Sequence, residues 1–227
     1  MSSNIFDQDD LVENPTARVA VCLCLDVSSS MDGPPIMELT KGIRQFYEAI
    51  SQDEIAAYAA DVCVVTFGGE NEARCLVDFT GVYRQMQPPR LIAHGNTTPM
   101  GEGVNLALDL LEKRKKKYHA TGVDYYQPWL VLMTDGIPLG NANALRDAIL
   151  RTRQLVEAKK LTLIPIAIGM DADMETLKRF APSVTPVRLK GTKFNEFFQW
   201  LSKSISAVSQ SMPGEVVPLP PLDDWND

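Results

Sequence analysis

Three short polar clusters stand out in the 227-residue sequence because their side chains could bind a hard metal ion. Their chemically useful members are aspartate, serine and threonine, which offer carboxylate and hydroxyl oxygens. The clusters are Asp26-Val27-Ser28-Ser29-Ser30, Thr97-Thr98 and Thr134-Asp135-Gly136. Oxygen ligands without nearby histidine or cysteine favour Mg²⁺, an ion that prefers octahedral oxygen coordination and keeps several of its waters.

Two carboxylates and three hydroxyls from these clusters form the predicted metal site. Asp26 and Asp135 would balance the charge of the ion, while Ser28, Ser30 and Thr98 would bind it directly through neutral oxygens. The alternate spacing of Asp26, Ser28 and Ser30 lets the three side chains converge on one point. An ion held mostly by neutral ligands remains electrophilic, so an aspartate or glutamate of another protein can fill its open position. The residues therefore predict a binding device rather than a catalyst.

The predicted strands place these clusters at one edge of a sheet. Residues 18–25 form a nearly continuous apolar run, typical of a strand buried on both faces, and the run ends at Asp26. Residues 129–134 form a second such run, which ends at Asp135. In an open parallel sheet the functional crevice lies just beyond the carboxyl ends of the strands. The sequence therefore predicts that the clusters meet there.

Strands alternate with helices along the rest of the chain. Further predicted strands cover 61–67, 73–79, 161–168 and 185–189. Predicted helices cover 36–50, 101–118, 143–159, 174–180 and 194–209. The Gly68-Gly69 pair between two of the strands favours an antiparallel hairpin at a sheet edge. The whole pattern predicts an α/β fold, with a doubly wound, mostly parallel sheet, one antiparallel edge strand and helices on both faces.

The three clusters together resemble the metal-ion-dependent adhesion site of von Willebrand factor A domains. The resemblance is carried by Asp26-x-Ser28-x-Ser30-Met31, Thr98-Pro99-Met100-Gly101 and Thr134-Asp135-Gly136, in the family's order. It implies a Rossmann-like sheet with the site at its top. It also implies that Ser28, Ser30 and Thr98 coordinate Mg²⁺ directly, with Mn²⁺ or Ca²⁺ as alternatives, while Asp26 and Asp135 act mainly through water.

Two departures from the family's pattern lie in the site loops. Ser29 stands where the family usually has glycine, and Asn96-Thr97 stands where it usually has two glycines. Neither change removes a ligand, but both could alter the shape of the loops. They also make Thr97 a rival to Thr98 for the metal; the Pro-x-Gly that follows favours Thr98.

Within the family, the chain looks most like bacterial TerY-type proteins of tellurite-resistance and stress-response clusters. The similar features are Gln87-Pro88-Pro89, Gln127-Pro128-Trp129 and the Pro-Leu-Pro-Pro tail. The resemblance implies an adaptor whose partner supplies Asp or Glu to the metal and could be a protein kinase or phosphatase. The alternatives are an assembly subunit for an AAA-type ATPase and a metal-dependent hydrolase. His94, near the threonine cluster, is the one histidine that could approach the metal.

Composition excludes several classes of partner. A formal charge of −7 argues against a nucleic-acid surface, which needs a basic face to neutralise phosphates. The basic run 113–117 is interpreted as a solvated helix end. The sequence shows no secretory signal and no apolar run of the roughly 18 residues that a membrane span requires. We therefore expect a cytoplasmic protein with no nucleic-acid or membrane partner.

Three segments and four cysteines complete the predictions. Residues 1–16 are an N-terminal extension, 17–210 the von Willebrand factor A domain with its metal site, and 211–227 a proline-rich tail. The tail is either a disordered end or a segment that packs on the domain or on a partner through Leu219, Leu222 and Trp225. All the cysteines lie in predicted strands and are expected to act as small hydrophobic residues. They are Cys22, Cys24, Cys63 and Cys75.

Overall fold

Strands and helices alternate along the chain in a computed structural model, which describes residues 11, 13–69, 72–85, 87–189, 193–215 and 217–219. The strands are β1 (Val19–Asp26), β2 (Ala60–Gly68), β3 (Glu72–Gly81), β4 (Trp129–Thr134), β5 (Thr162–Ile168) and β6 (Val187–Leu189). The helices include α1 (Pro34–Gln52), α2 (Glu54–Ala59), α3 (Met100–Thr121), α4 (Ala142–Glu157), α5 (Met174–Phe180) and α6 (Phe194–Ser209).

The strands form one sheet in the order β3-β2-β1-β4-β5-β6. Neighbouring strands are parallel, except that β3 runs antiparallel to β2 at the edge of the sheet. This arrangement confirms the predicted α/β fold with a mostly parallel sheet and one antiparallel edge strand.

Both faces of the sheet are covered, and β1 shows how. Its residues are all buried, and alternate side chains enter two different hydrophobic cores. Val21 and Leu23 pack with α1 and α6, while Cys22 and Cys24 pack with α3, α4 and α5. Gly42 lets α1 approach α6 closely, since a Cβ there would lie 2.5 Å from a Phe198 ring carbon.

The chain leaves β1 and β4 toward opposite faces of the sheet. Helix α1, which follows β1, packs on one face, and helix α4, which follows β4, packs on the other. Because β1 and β4 are hydrogen-bonded neighbours, the gap between their carboxyl ends is a topological switch point. This is the place where open α/β sheets bind their ligands.

Three details differ from the sequence predictions. Helix α2 was not predicted, although Asp53 caps it by accepting hydrogen bonds from the backbone N–H groups of Ile55 and Ala56. Arg114 of the basic run is not solvated, because its Nε donates to Asp61 Oδ2 at 2.6 Å in a buried ion pair. Cys75 is exposed, since its strand β3 forms the edge of the sheet.

Both ends of the domain meet at Tyr126, at the amino-terminal edge of the sheet. The backbone N–H of Tyr126 donates to the Arg18 carbonyl at 2.9 Å, and its hydroxyl donates to the Ser211 carbonyl at 2.6 Å. Val217 and Leu219 of the tail are partly buried against the core. This part of the tail packs on the domain, whereas Leu222 and Trp225 lie outside the described residues.

Within the described ranges, every helix is too short or too polar to cross a bilayer.

Candidate metal centre

The carboxyl ends of β1 and β4 bring the first and third polar clusters together. Leu25 pairs with Met133 across the two strands, so the next residues, Asp26 and Thr134, are neighbours. Both are fully buried, and the Thr134 hydroxyl donates to Asp26 Oδ2 at 2.6 Å. The central sheet therefore fixes one side of the Asp26 carboxylate before any loop is considered.

Hydrogen bonds connect four of the five predicted site residues in one chain. Asp26 Oδ1 accepts from the Ser28 backbone N–H at 2.9 Å and from the Ser28 hydroxyl at 2.6 Å. The Ser30 hydroxyl donates to Asp135 Oδ1 at 2.9 Å. The Ser28 and Ser30 oxygens lie 3.0 Å apart. The predicted convergence of the first cluster and its junction with Asp135 are thus present.

Thr98 lies on a loop whose backbone is hydrogen-bonded to the first loop on one side and to the β2–β3 hairpin on the other. His94 N–H donates to the Val27 carbonyl at 2.8 Å, while the His94 carbonyl accepts from Gly69 N–H at 2.9 Å. Gly95 has a φ of 74°, and a Cβ there would lie only 1.9 Å from Gly69 Cα. The loop therefore needs glycine at this contact.

The Thr98 side chain lies beside the Asp135 loop. A Cβ added to Gly136 would be 3.8 Å from Thr98 Oγ1. The Thr98 carbonyl accepts from the Leu139 backbone N–H at 2.9 Å, which ties the two loops together. No hydrogen bond of the Thr98 hydroxyl is found among the residues that the structure describes.

Thr97 points to a different partner. Its hydroxyl donates to the Gly69 carbonyl, and its backbone N–H is 3.3 Å from the same oxygen. This geometry favours Thr98 over Thr97 as a candidate ligand, because the Thr97 hydroxyl already holds the loop.

The two departures from the family's pattern contact each other. The Ser29 hydroxyl donates to Asn96 Oδ1 at 3.3 Å, and the Ser29 backbone N–H donates to the Gly95 carbonyl at 2.8 Å. The serine and the asparagine therefore add a side-chain link between the first and second loops. They leave Ser28 and Ser30 in their chain of hydrogen bonds with the aspartates.

The two carboxylates of the site resist ionisation in the absence of a cation. Burial raises the pKa of Asp26 to about 6, against hydrogen bonds from Ser28 and Thr134 that lower it; the charge of Asp135 raises it further. Burial also raises the pKa of Asp135, with a smaller contribution from the charge of Asp171. The ionised forms of both carboxylates are therefore poorly solvated, and a bound cation would stabilise them.

The donor set fits a hard divalent cation held largely by hydroxyls. The hydroxyl groups of Ser28 and Ser30 lie within hydrogen-bond distance of Asp26 and Asp135, respectively. The two serine oxygens lie 3.0 Å apart, so a cation placed beside them could contact both. No group of three or more His, Cys, Asp or Glu side chains suited to a metal exists within the described ranges, so an ion here depends on hydroxyl ligands.

Thr134 and Asp171 contribute to this end of the sheet but were not predicted as ligands, and the candidate His94 has other partners. Thr134 was named in the third cluster but given no role, and Asp171 was not predicted at all. Each stands at or just after the carboxyl end of a strand, which was the available signal. His94 is exposed; its Nδ1 lies 3.2 Å from the Ile92 carbonyl, and its ring packs beside Gly69. No hydrogen bond between His94 side-chain atoms and the predicted metal ligands is found in the described part of the chain.

Comparison with known families agrees with this fold. The model of the von Willebrand factor type A domain matches residues 20–199. That is most of the chain, so the protein belongs to the von Willebrand factor type A family. No curated protein sequence matches the chain.

Solved structures of distant sequence share the fold. The pilus adhesin SpaC from Lactobacillus rhamnosus GG is 12% identical with a TM-score of 0.65, over 85% of this chain and 30% of SpaC. Proximal thread matrix protein 1 from the mussel byssus, with a zinc-occupied metal-ion-dependent adhesion site, is 16% identical with a TM-score of 0.55, over 84% of this chain and 48% of that protein.

A third structure is the manganese-loaded TRAP protein of Plasmodium vivax, which is 17% identical with a TM-score of 0.55. The match covers 81% of this chain and 72% of that chain. The present chain spans less than half the length of the first two relatives. At these identities the likeness establishes the fold.

Proposed function

We propose that this protein is a metal-dependent interaction domain and not an enzyme. Ser28, Ser30 and Thr98 would bind Mg²⁺ directly, and Asp26 and Asp135 would act mainly through its waters. When bound, the ion supplies a positive charge. An aspartate or glutamate of a partner protein would complete the coordination of the ion as its last ligand. The facing oxygens of Ser28 and Ser30 are the observation that carries this proposal.

The relatives also support a divalent metal ion in this fold. One relative carries zinc in its adhesion site and another is loaded with manganese, so divalent ions of similar size occupy this fold. Mg²⁺ is favoured here because the donor set consists of carboxylate and hydroxyl oxygens alone. Mn²⁺ and Ca²⁺ remain the ions to compare with it.

Calorimetric titration of the metal-free protein with Mg²⁺, Mn²⁺ and Ca²⁺ tests the site. We expect one ion to bind, and Ser28→Ala to weaken Mg²⁺ binding by at least about tenfold, because a ligand is lost. Ser29→Ala is the matched control, since Ser29 lies in the same loop but bonds to Asn96. Equal Mg²⁺ affinity in Ser28→Ala and the wild type would refute the proposal.

We further propose that the domain works as a cytoplasmic adaptor in a bacterial stress-response or tellurite-resistance module. The resemblance to TerY-type proteins supports this, and it suggests a protein kinase or phosphatase as the partner. Purification of the full chain with its native partners, with Mg²⁺ and with a chelator, tests the idea. A ring ATPase in place of a kinase or phosphatase would favour the assembly-subunit alternative, and turnover of phosphoesters by the purified protein would favour the hydrolase.

We also retain the proposed division of the chain. Residues 17–210 would form the metal-binding domain, preceded by an extension over 1–16 and followed by a tail over 211–227. The end of α6 at Ser209 supports the second boundary.

A further inference from the structure

Exposed apolar side chains are concentrated around the candidate metal centre. The six most exposed large apolar side chains of the described residues are Met170, Met212, Met37, Ile92, Ile137 and Leu139. All of them except Met212 lie in loops or a first helical turn at the carboxyl-terminal edge of the sheet. Isolated exposed apolar residues are ordinary, but their concentration at one edge marks an interaction surface.

Four of these side chains belong to loops that carry the predicted ligands or lie next to them. Ile137 and Leu139 belong to the loop that begins with Asp135, and this loop is tied to Thr98 through the Leu139 backbone N–H. Met170 precedes Asp171, whose charge acts on Asp135. Ile92 lies in the loop before Thr98. We call Ile92, Ile137, Leu139 and Met170 the apolar rim; they are between 57% and 76% exposed.

The charges at this edge limit what can bind there. A metal ion would attract one carboxylate, but Asp171 adds negative charge beside Asp135. A strongly acidic segment would therefore be repelled once its first carboxylate reached the ion. Apolar neighbours of that carboxylate would meet no such repulsion and would bury the rim.

We propose that the apolar rim selects its partner: a protein segment with one aspartate or glutamate flanked by large apolar residues. The inference rests on the proposed function, because the carboxylate is bound through the metal. The ion provides an anchor that many acidic groups could use, and the rim provides the preference among them.

Fluorescence anisotropy with synthetic peptides tests this inference. The probes are three labelled seven-residue peptides: one with a central Glu between leucines, one with the leucines replaced by serines, and one with Gln in place of Glu. In Mg²⁺ we expect the leucine–glutamate peptide to bind at least about tenfold more tightly than the serine–glutamate peptide, because burial of two large apolar side chains accounts for such a factor. The glutamine peptide and the chelator-treated protein should not bind.

Substitution of the rim should remove the preference. In the double variant Ile137→Ser with Met170→Ser, the advantage of the leucine peptide should fall to about threefold or less, since half of the rim is lost. The control variants Leu150→Ser and Met212→Ser remove exposed apolar side chains elsewhere and should keep the full advantage.

The outcomes separate this inference from the proposed function. Absence of calorimetric Mg²⁺ binding would overturn both. Mg²⁺ binding with equal affinity for the leucine and serine peptides would overturn the rim alone, as would a preference that survives the double variant. Sedimentation that shows an Mg²⁺-dependent dimer, lost in the double variant, would assign the rim to a second copy of this chain and would also overturn the inference.

Discussion

Asp26 is the residue at which stability and the proposed metal binding would conflict. Its carboxylate is fully buried between the ends of two central strands, where its ionised form is poorly solvated. Ionisation is nevertheless needed to balance a divalent cation. The protein therefore keeps a group that costs stability in the metal-free state and is useful when an ion is bound.

This conflict predicts the pH dependence of Asp26→Asn. The pKa of Asp26 in the folded state, about 6, is above its ordinary value of 3.8, so the folded protein retains a proton that the unfolded chain releases. Stability from this group is present below about pH 4 and is lost as the pH rises to about 6. Without divalent ions, Asp26→Asn should exceed the wild type in free energy of unfolding by up to about 3 kcal/mol near pH 7.5.

Urea unfolding in a chelator at several pH values measures this difference. It should grow between about pH 4 and pH 6 and then stay constant. Asp32→Asn, which removes a charge from an exposed position of the same loop, is the control. A difference that does not change over this pH range would contradict the assignment. In Mg²⁺ only the wild type should gain stability, because only it would bind the ion.

The meeting of Asp26 and Asp135 could be predicted because both stand at the carboxyl ends of strands. Asp26 and Asp135 end two apolar runs, and the fold brings such ends together. The choice between Thr97 and Thr98 depends on a contact with Gly69, which is distant in sequence. Asp171 likewise reaches Asp135 only through the pairing of β4 with β5. Sequence spacing does not contain these contacts.

At the scale of elements, the loop of residues 94–98 is the part that shapes the site. It lies between the first loop and the hairpin of β2 and β3, and its backbone bonds to both. Its path is set by the close approach of Gly95 and Gly69.

Gly95→Ala should therefore disrupt the site and leave the fold intact. The new Cβ would meet the Gly69 backbone, so the loop that carries Thr98 must move. We expect calorimetry to show at least about tenfold weaker Mg²⁺ binding, with unchanged helical content by circular dichroism. Gly122→Ala is a close control because Gly122 has a similar φ of 69° but no neighbour within 4 Å of its added Cβ. If Gly95→Ala and Gly122→Ala lost Mg²⁺ affinity equally, backbone strain alone would explain the loss.

The longer helices and strands agree with the sequence predictions, and the exceptions have physical causes. Helix α2 has six residues, too few to show a helical period, so it was missed. Arg114 stands in a run of cations that suits a solvated helix end. Its burial depends on Asp61, which lies 53 residues away in sequence. Local patterns predict elements, whereas partners of this kind are determined by packing.

At the scale of the whole molecule, the tail and the metal centre lie at opposite edges of the sheet. Val217 and Leu219 pack on the core, and Leu219 lies near Thr162 at the start of β5. The predicted ligands lie at the other ends of the strands.

The double variant Val217→Ser with Leu219→Ser should therefore affect stability alone. Exposure of two partly buried side chains should lower the free energy of unfolding by about 1–2 kcal/mol, measured by urea unfolding. Mg²⁺ affinity should not change. Met212→Ser, at a highly exposed position near the tail, should have little effect on either quantity. A loss of Mg²⁺ affinity in the double variant would mean that the two edges communicate.

Tyr126 has a consequence for how the domain can be joined to other structures. One residue bonds to the backbone on both sides of the domain, at Arg18 before the first strand and at Ser211 after the last helix. Attachment points at these two positions are thus close in space and opposite to the metal centre. A tether at either position, or the insertion of the whole domain into a loop of a host protein, would leave the proposed metal-binding end of the sheet facing outward and accessible.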